Sequence, residues 1–302
     1  MGIVGMGVGL LIGIALAVLW QRWREGAKAP DKTRPGAAAD TPVEEKNGTS
    51  RTDGKDLILI IEDDPQNLAQ LTQWLEADYQ LETLDDAQQA QEAALRLNPD
   101  LILSDMVAPG MTGDELCRRM RGNVETSHIP LVLLSATAER QSIVRALEAG
   151  ASDYILRPTD PEVLRARIRN LMTGRQHLRN ALIQPEPTPR EEDEYSSQLD
   201  REFMKRVTDA IHQQMDNSEL SVNDFCRMMN MSRTSVYNKM KALTGMGPND
   251  YIRTLRLNHA HELLKSRKYT VGEVAAMVGF ADPKYFSTCF KKQFGVSPSK
   301  VN

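Results

Sequence analysis

Two apolar runs in this 302-residue chain end on acids. Residues 101–105 read LILSD, so that Asp105 ends one run, and the pair Glu62–Asp63 directly follows the run LILII at 57–61. Carboxylates that meet at one edge repel each other unless a cation lies among them, and oxygen ligands suit a hard ion such as Mg²⁺. We therefore predict that Glu62, Asp63 and Asp105 converge around a bound Mg²⁺.

A hydroxyl and a cation end two later apolar runs. Ser135 closes LVLLS at 131–135, and Arg157 follows DYIL at 153–156. A carboxylate nucleophile, a metal, a hydroxyl and a fixed cation together can neutralise a phosphoryl group from several sides. The set predicts a phosphoryl-accepting centre. Asp64 is interpreted differently, as a helix cap, because proline follows it.

Five apolar runs must position these side chains, and each leads into a helix-like stretch of ten or more residues. The runs lie at 57–61, 79–84, 101–104, 131–135 and 153–156. Repeated strand–helix units predict a doubly wound, five-stranded parallel sheet that is covered on both faces. In such α/β sheets the chemistry gathers at the carboxyl ends of the strands, where Asp105 lies.

Residues 56–172 resemble the receiver domain of two-component response regulators. The motifs that match are Glu62–Asp63, SDMVAPGMTGDEL around Asp105, Ser135 in LLSA, Tyr154 and Arg157–Pro158. The resemblance implies that Asp105 accepts the phosphoryl group and binds Mg²⁺ with Asp63. It also implies that Glu62 helps through water, that Val107 offers its carbonyl, and that Ser135 and Tyr154 reorient on phosphorylation.

One position departs from that family, which has lysine where this chain has Arg157. Arginine keeps the charge but is a bulkier, planar fork. Two interpretations follow: a receiver that a kinase phosphorylates in trans, or a degenerate receiver that serves only to dimerise a constitutive, tethered DNA-binding protein. A phosphatase with an aspartate nucleophile is disfavoured, because the second acid it uses two residues after Asp105 is Val107 here.

The C-terminal part, 199–302, is basic and reads as entirely helical. It contains 16 Lys and Arg against 10 Asp and Glu, a net charge of +6 in a chain of net charge −4, and this predicts an anionic partner. Ser221 and Ser232 are expected to cap two short helices joined by a turn at Met231, which is typical of a helix-turn-helix. A second helix pair follows, with its last helix starting at Asp282–Pro283.

The segments IRTLRLNHAHELL and VGFADPKYFSTCFKKQFGVSPS resemble the DNA-binding domain of the AraC family, although the family usually ends on an aromatic and a basic residue where this chain has Val301–Asn302. The resemblance implies two recognition helices in successive major-groove segments of duplex DNA. Helical spacing places Val236 and Met240 in the core. The spacing of four between Phe286, Phe290 and Phe294 favours core packing over a stacking platform for single strands. The side chains then expected to face DNA are Arg233, Thr234, Tyr237, Asn238, Lys241, Lys284, Tyr285, Thr288, Lys291 and Lys292.

The first 20 residues, MGIVGMGVGLLIGIALAVLW, contain no charge and would span about 30 Å as a helix. Arg22, Arg24 and Lys28 follow, which favours a single-pass anchor in a bacterial inner membrane with the rest of the chain in the cytoplasm. A signal peptide with AKA at 27–29 as its cleavage site is the alternative, which the lack of a basic region before the apolar run disfavours.

The predicted organisation is therefore a transmembrane helix at 1–21, a linker at 22–55, a receiver domain at 56–182, a linker at 183–198 and a DNA-binding domain at 199–302. This order resembles the cytoplasmic end of hybrid two-component sensors. No histidine lies in a kinase-like box, so a histidine kinase or other phosphodonor must be a partner, and the chain reads as a regulator rather than an enzyme. A second copy of the chain and RNA polymerase are further expected partners.

Overall fold

The computed structural model describes residues 54–181 and 197–301, which belong to one compact unit. The predicted transmembrane helix at 1–21 lies outside the described residues, as does most of each predicted linker. Among the helices that the structure does describe, none is long and apolar enough to cross a membrane.

Strands and helices alternate from residue 57 to residue 181. The elements are β1 (Leu57–Ile61), α1 (Pro65–Leu75), β2 (Gln80–Leu84), α2 (Ala90–Leu97), β3 (Leu101–Asp105), β4 (Val107–Ala108), β5 (Met111–Thr112), α3 (Gly113–Arg121), β6 (Leu131–Ser135), α4 (Arg140–Glu148), β7 (Asp153–Leu156) and α5 (Pro161–Ala181). Five strands form a parallel sheet in the order β2-β1-β3-β6-β7, which confirms the predicted doubly wound sheet. β4 and β5 form a separate antiparallel hairpin.

Helices cover the sheet on both faces, as the continuous apolar runs predict. In β1, Leu57, Leu59 and Ile61 pack into the core with α2 and α3, while Ile58 and Ile60 pack into the core with α1 and α5. All five side chains are buried, and each contributes about 1.5–3 kcal/mol to the free energy of folding. A central strand buried on both faces fixes the position of the acids that follow it.

The predicted cap at Asp64 is confirmed. Its side chain accepts hydrogen bonds from the backbone N–H groups of Gln66 and Asn67, and Pro65 is the first residue of α1. The helix therefore starts directly after Glu62 and Asp63, which leaves both acids at the carboxyl end of β1.

The C-terminal part is helical throughout its described residues. The helices are α6 (Gln198–Gln213), α7 (Val222–Met229), α8 (Arg233–Thr244), α9 (Pro248–Lys265), α10 (Val271–Met277) and α11 (Pro283–Phe294). Ser221 and Ser232 cap α7 and α8 as predicted. One core joins α6, α7, α8 and the start of α9, and a second joins the rest of α9 with α10 and α11. The long helix α9 therefore links two helix-turn-helix units.

Candidate functional site

Asp105 is the last residue of β3, at the carboxyl edge of the sheet. It pairs in register with Leu134 of β6, so Ser135 is the next residue along the neighbouring strand. Its side chain is 20% exposed. The carboxylate is thus accessible to a phosphodonor while it remains fixed by the strand.

Arg157 lies between two of the predicted acids. One guanidinium nitrogen lies 3.6 Å from a carboxylate oxygen of Asp105, and the other donates a short hydrogen bond to the buried carboxylate of Glu62. The second oxygen of Glu62 accepts from the N–H of Asp64 and from the amide of Asn67. Glu62 is therefore held by neighbouring donors, and Arg157 spans Glu62 and Asp105 as only a planar fork can.

This environment changes the pKa of the Asp105 carboxyl. Burial raises the pKa of Asp105 above its ordinary value; the charge of Arg157 opposes this rise, and the charge of Glu62 adds to it. Backbone N–H groups of Met106 and Val107 also donate to the carboxyl and favour its ionised form. A partly buried carboxyl with a perturbed pKa beside a fixed cation is typical of a functional site.

Ser135 and Tyr154, the expected switch pair, are both buried and both contact Thr137. The N–H of Thr137 donates to Ser135 Oγ at 3.1 Å, and Tyr154 Oη donates to the carbonyl of Thr137 at 2.9 Å. Thr137 was not among the predicted residues, because a threonine in a loop has no distinctive pattern. It connects the two predicted switch residues in the loop between β6 and α4.

The remaining predicted metal ligands are exposed. Asp63 lies at the surface just after β1, and Val107 in β4 is 75% exposed. Within residues 54–181 and 197–301, no three acidic, histidine or cysteine side chains come close enough together to hold a metal ion. The predicted three-carboxylate cluster does not form, because Glu62 points to Arg157. Asp63, Asp105 and the Val107 carbonyl stay predicted ligands, and their oxygen atoms are of the type that Mg²⁺ prefers.

The side chains predicted to face DNA lie on α8 and α11. Val236 and Met240 are fully buried on α8, and Phe286 and Phe290 are fully buried on α11, as predicted. The opposite faces are open, with Asn238 half-buried and the other members exposed. Those exposed members are Arg233, Thr234, Tyr237, Lys241, Lys284, Tyr285, Thr288, Lys291 and Lys292.

Two local features suit these faces to nucleic acid. The ammonium of Lys241 lies 5.6 Å from the ring centre of Tyr237, so the two side chains form one cationic and aromatic surface. On α11, an open cleft is lined by lysines and hydroxyls, namely Ser287, Thr288, Lys291, Lys292 and Ser297. Ammonium and hydroxyl donors are the groups that contact phosphate oxygens.

A buried arginine fixes the two helix-turn-helix units together. Arg256, in the middle of α9, donates to the carbonyls of Gln214 and Asn217 from the first unit and to the carbonyl of Gly279 from the second. α9 has 18 residues, about 27 Å, close to the roughly 34 Å between successive major-groove segments. Arg256 was not predicted as functional, although an arginine within an apolar helix face signals a buried contact.

Comparison with known families decides what these two parts are. The model of the response regulator receiver domain matches residues 58–169, and a helix-turn-helix domain model matches residues 225–302. The chain contains a receiver domain and an AraC-type helix-turn-helix domain. The predicted resemblance to both families is confirmed.

Individual relatives match most of this chain or a little over a third of it. Histidine kinase P4 of Formosa agariphila is 34% identical over 82% of this chain and 18% of its own length. The DNA-binding response regulator MtrA of Mycolicibacterium smegmatis is 38% identical over 37% of this chain and 48% of its own length. The chain thus spans less than half the length of either relative.

Among solved structures, the receiver domain of a signal transduction histidine kinase from Syntrophus aciditrophicus is similar to this receiver domain. It is 36% identical, with 39% of this chain and 91% of that chain covered and a TM-score of 0.38.

Proposed function

We propose that the protein is a response regulator in which phosphorylation of Asp105 by a separate kinase controls sequence-specific DNA binding and transcription. The observation that supports this most is the position of Asp105, at the carboxyl edge of the sheet and 3.6 Å from a fixed guanidinium. The receiver and helix-turn-helix domains lie in one compact unit, so a change in one can reach the other.

Asp105, Arg157 and Ser135 have different roles in the proposed phosphoryl transfer. The carboxylate of Asp105 attacks the phosphorus of the donor, and the donor's leaving group departs with the bonding electron pair. The guanidinium of Arg157 and the hydroxyl of Ser135 then bind phosphoryl oxygens. Ser135 Oγ accepts from the Thr137 N–H and keeps its own hydrogen to donate to a phosphoryl oxygen, so a shift of Ser135 toward the phosphoryl group pulls on the loop that Tyr154 also holds. This shift biases the receiver between two conformations.

A divalent cation fits the donor set of Asp63, Asp105 and the Val107 carbonyl, and we propose Mg²⁺. Bound there, it would neutralise charge on the phosphoryl oxygens. Glu62 is excluded from direct ligation in this proposal, because its carboxylate binds Arg157 and the start of α1.

Labelling with acetyl phosphate on a phosphate-affinity gel tests the acceptor. The full chain should shift in the presence of Mg²⁺, and Asp105→Asn should not shift. The control Asp114→Asn changes a partly buried carboxylate at the start of α3 that pairs with Arg118, and it should label normally. Equal labelling of Asp105→Asn, or equal labelling in EDTA, would refute the assignment.

The alternative is a receiver that is never phosphorylated, and the contact between Arg157 and Glu62 also supports it. An arginine that already binds Glu62 neutralises part of the site without phosphate. Failure of both the native chain and Arg157→Lys to label would favour this constitutive DNA-binding protein.

We also propose that the regulator acts as a homodimer. Four exposed apolar side chains, Val144, Leu147, Leu156 and Val163, lie on α4, β7 and α5 beside the edge strand of the sheet. A second copy of the receiver that covered them would remove apolar surface from water. Light scattering should show a dimer that Leu147→Glu weakens, and a monomer at all concentrations with and without phosphodonor would exclude it.

We further propose that residues 1–21 anchor the protein in the membrane. Contact with RNA polymerase is proposed as well. The anchor rests on the uncharged 20-residue sequence and on the basic residues that follow it. Deleting residues 2–20 should move the protein from the membrane fraction to the soluble fraction. Recovery of the intact chain in the soluble fraction would contradict the anchor.

A further inference from the structure

A lysine on the first recognition helix is buried against the receiver domain. Lys239 of α8 is fully buried, and its ammonium donates to the side chain of Asp200 at 2.6 Å. The same ammonium donates at 2.9 Å to Ser127 Oγ and, through a short bond, to the carbonyl of Val124. Val124 and Ser127 belong to the receiver, in the loop between α3 and β6, so this lysine bonds across the domain boundary.

The donors and acceptors of this contact are matched in direction. Ser127 accepts from Lys239 and donates its own hydroxyl hydrogen to Asp200 at 2.8 Å. Lys239, Asp200 and Ser127 are all buried, and Val124 packs against the core of the first helix-turn-helix unit. The Ser127 hydroxyl and the Val124 carbonyl thus bond the receiver to a buried charge pair of the C-terminal part, and a hydrogen bond to a buried charge is stronger than an exposed ion pair. α5 of the receiver also contacts α8.

The receiver holds its side of the contact rigidly. Arg121, the last residue of α3, donates to the carbonyls of Ser127 at 2.6 Å and Ile129 at 2.7 Å, and to the carbonyl of Gly150 at 2.9 Å. Thr126 donates to the carbonyl of Met120. The loop at 122–130 therefore moves with α3 rather than independently of it.

The other end of α3 begins beside the phosphoryl acceptor. The N–H of Gly113 donates at 2.9 Å to the carbonyl of Met106, the residue after Asp105. A side chain at Gly113 would collide with Leu133 and with the backbone of Met106, so α3 starts in close contact with the acceptor loop. One helix thus connects the neighbourhood of Asp105 to the docking loop.

We propose that α3 and the loop at 122–130 form the output surface of the receiver, which controls the first helix-turn-helix unit through Lys239. In this arrangement the DNA-facing side of α8 stays open while its opposite flank is docked, so the contact sets the position of the recognition helix without covering it. The docking does not depend on phosphorylation, but its role as the output rests on the proposed function.

Ser127→Ala and Val124→Asp in the full chain test the contact from the receiver side, where both leave the Lys239–Asp200 pair in place. Leu95→Asp, an exposed position on α2, is the matched control for an added carboxylate. Hydrogen exchange of residues 233–244 should lose protection in both variants and not in the control. Unchanged protection of that helix in both variants would overturn the docked contact.

Labelling and DNA affinity then test the output role. Both variants should label with acetyl phosphate as the native chain does, because Asp105 and Arg157 are untouched. The ratio of Kd values without and with phosphodonor should fall toward one, from the roughly 5- to 150-fold range of allosteric coupling. If a variant loses the protection of residues 233–244 but keeps the native ratio of Kd values, α3 and the loop at 122–130 are not the output surface. If the native chain does not label with acetyl phosphate, the proposed function is refuted instead. Hydrogen exchange would still show whether the receiver is docked on α8.

Discussion

Lys239 and Asp200 form an ion pair of 2.6 Å in which both side chains are buried, one on the first recognition helix and the other on α6. Burial by itself would raise the pKa of Asp200, but the charge of Lys239 and the bonds from Lys239 and Ser127 outweigh it and lower that pKa. The Asp200 carboxyl is therefore held in its ionised form, and its burial depends on the contact with Lys239.

Removing one member of this pair should destabilise the fold strongly. Lys239→Met keeps the length of the side chain but leaves Asp200 buried without its cation, which costs about 3–5 kcal/mol. Urea unfolding followed by circular dichroism measures this loss. Lys205→Met, an exposed lysine on α6, is the control and should change the free energy of unfolding by less than about 0.5 kcal/mol. A loss for Lys239→Met as small as the control's would mean that the pair is not buried.

Arg157→Lys should release Glu62 and keep a cation beside Asp105. A lysine carries all its donors on one nitrogen, so it cannot contact Glu62 and Asp105 through two separate nitrogens as the guanidinium does. We expect phosphoryl labelling at least as fast as in the native chain, measured as a time course with acetyl phosphate and Mg²⁺. Arg157→Ala should label more slowly because the phosphoryl oxygens lose their cation.

Arg167→Lys provides the control for that series, because Arg167 pairs with Asp153 away from the acceptor. Labelling that is slower in Arg157→Lys than in the native chain would contradict the expectation and would show that the guanidinium has a role that charge alone does not explain.

Much of the receiver can be predicted from sequence because its signals are local. A strand buried on both faces must be apolar at consecutive positions. β1 and β6 are buried in this way, and their bounds match the predicted apolar runs. The caps at Asp64, Ser221 and Ser232 act within three residues of the chain, and for that reason the helix starts were predicted correctly. The two-residue strands β4 and β5 are too short to show any period.

The contacts that sequence reasoning missed join distant residues. Lys239 bonds to Val124 across 115 positions, and Arg157 bonds to Glu62 across 95. No spacing rule relates such residues, and the direction of each side chain decides the partner. Lys239 still gave a signal: it lies between Val236 and Met240 on the core-facing side of α8, where a lysine needs a buried partner.

Arg256→Leu should loosen the two helix-turn-helix units from each other. The guanidinium is replaced by an apolar group, and the carbonyls of Gln214, Asn217 and Gly279 lose their shared donor. We expect a footprint on one major-groove segment, or two segments with weaker protection, in place of the two that the native chain should protect. Lys265→Leu, an exposed lysine near the end of the same helix, is the control. An unchanged footprint in Arg256→Leu would show that α9 alone sets the spacing.

Asn238→Ala and Lys292→Ala should affect DNA binding in different ways. Asn238 on α8 is predicted to face the groove, so its loss should cost about 1–3 kcal/mol at one base position and relax the preference there. Lys292 lies in the basic cleft of α11, so its loss should weaken all sequences alike and reduce the salt slope by about one. Competition binding against single-base variants at several salt concentrations separates the two effects. Equal loss on specific and random duplexes for Asn238→Ala would remove it from the base-reading set.

The most direct test of phosphorylation control is the DNA affinity of the full chain before and after treatment with acetyl phosphate and Mg²⁺. A binding site is first selected from random duplexes, and Kd is then measured by fluorescence anisotropy for the native chain and for Asp105→Asn. If phosphorylation of Asp105 controls DNA binding, treatment should change the affinity of the native chain by about 5- to 150-fold and leave that of Asp105→Asn unchanged. A native chain that is fully labelled but binds with unchanged affinity, or an equal change in Asp105→Asn, would contradict it.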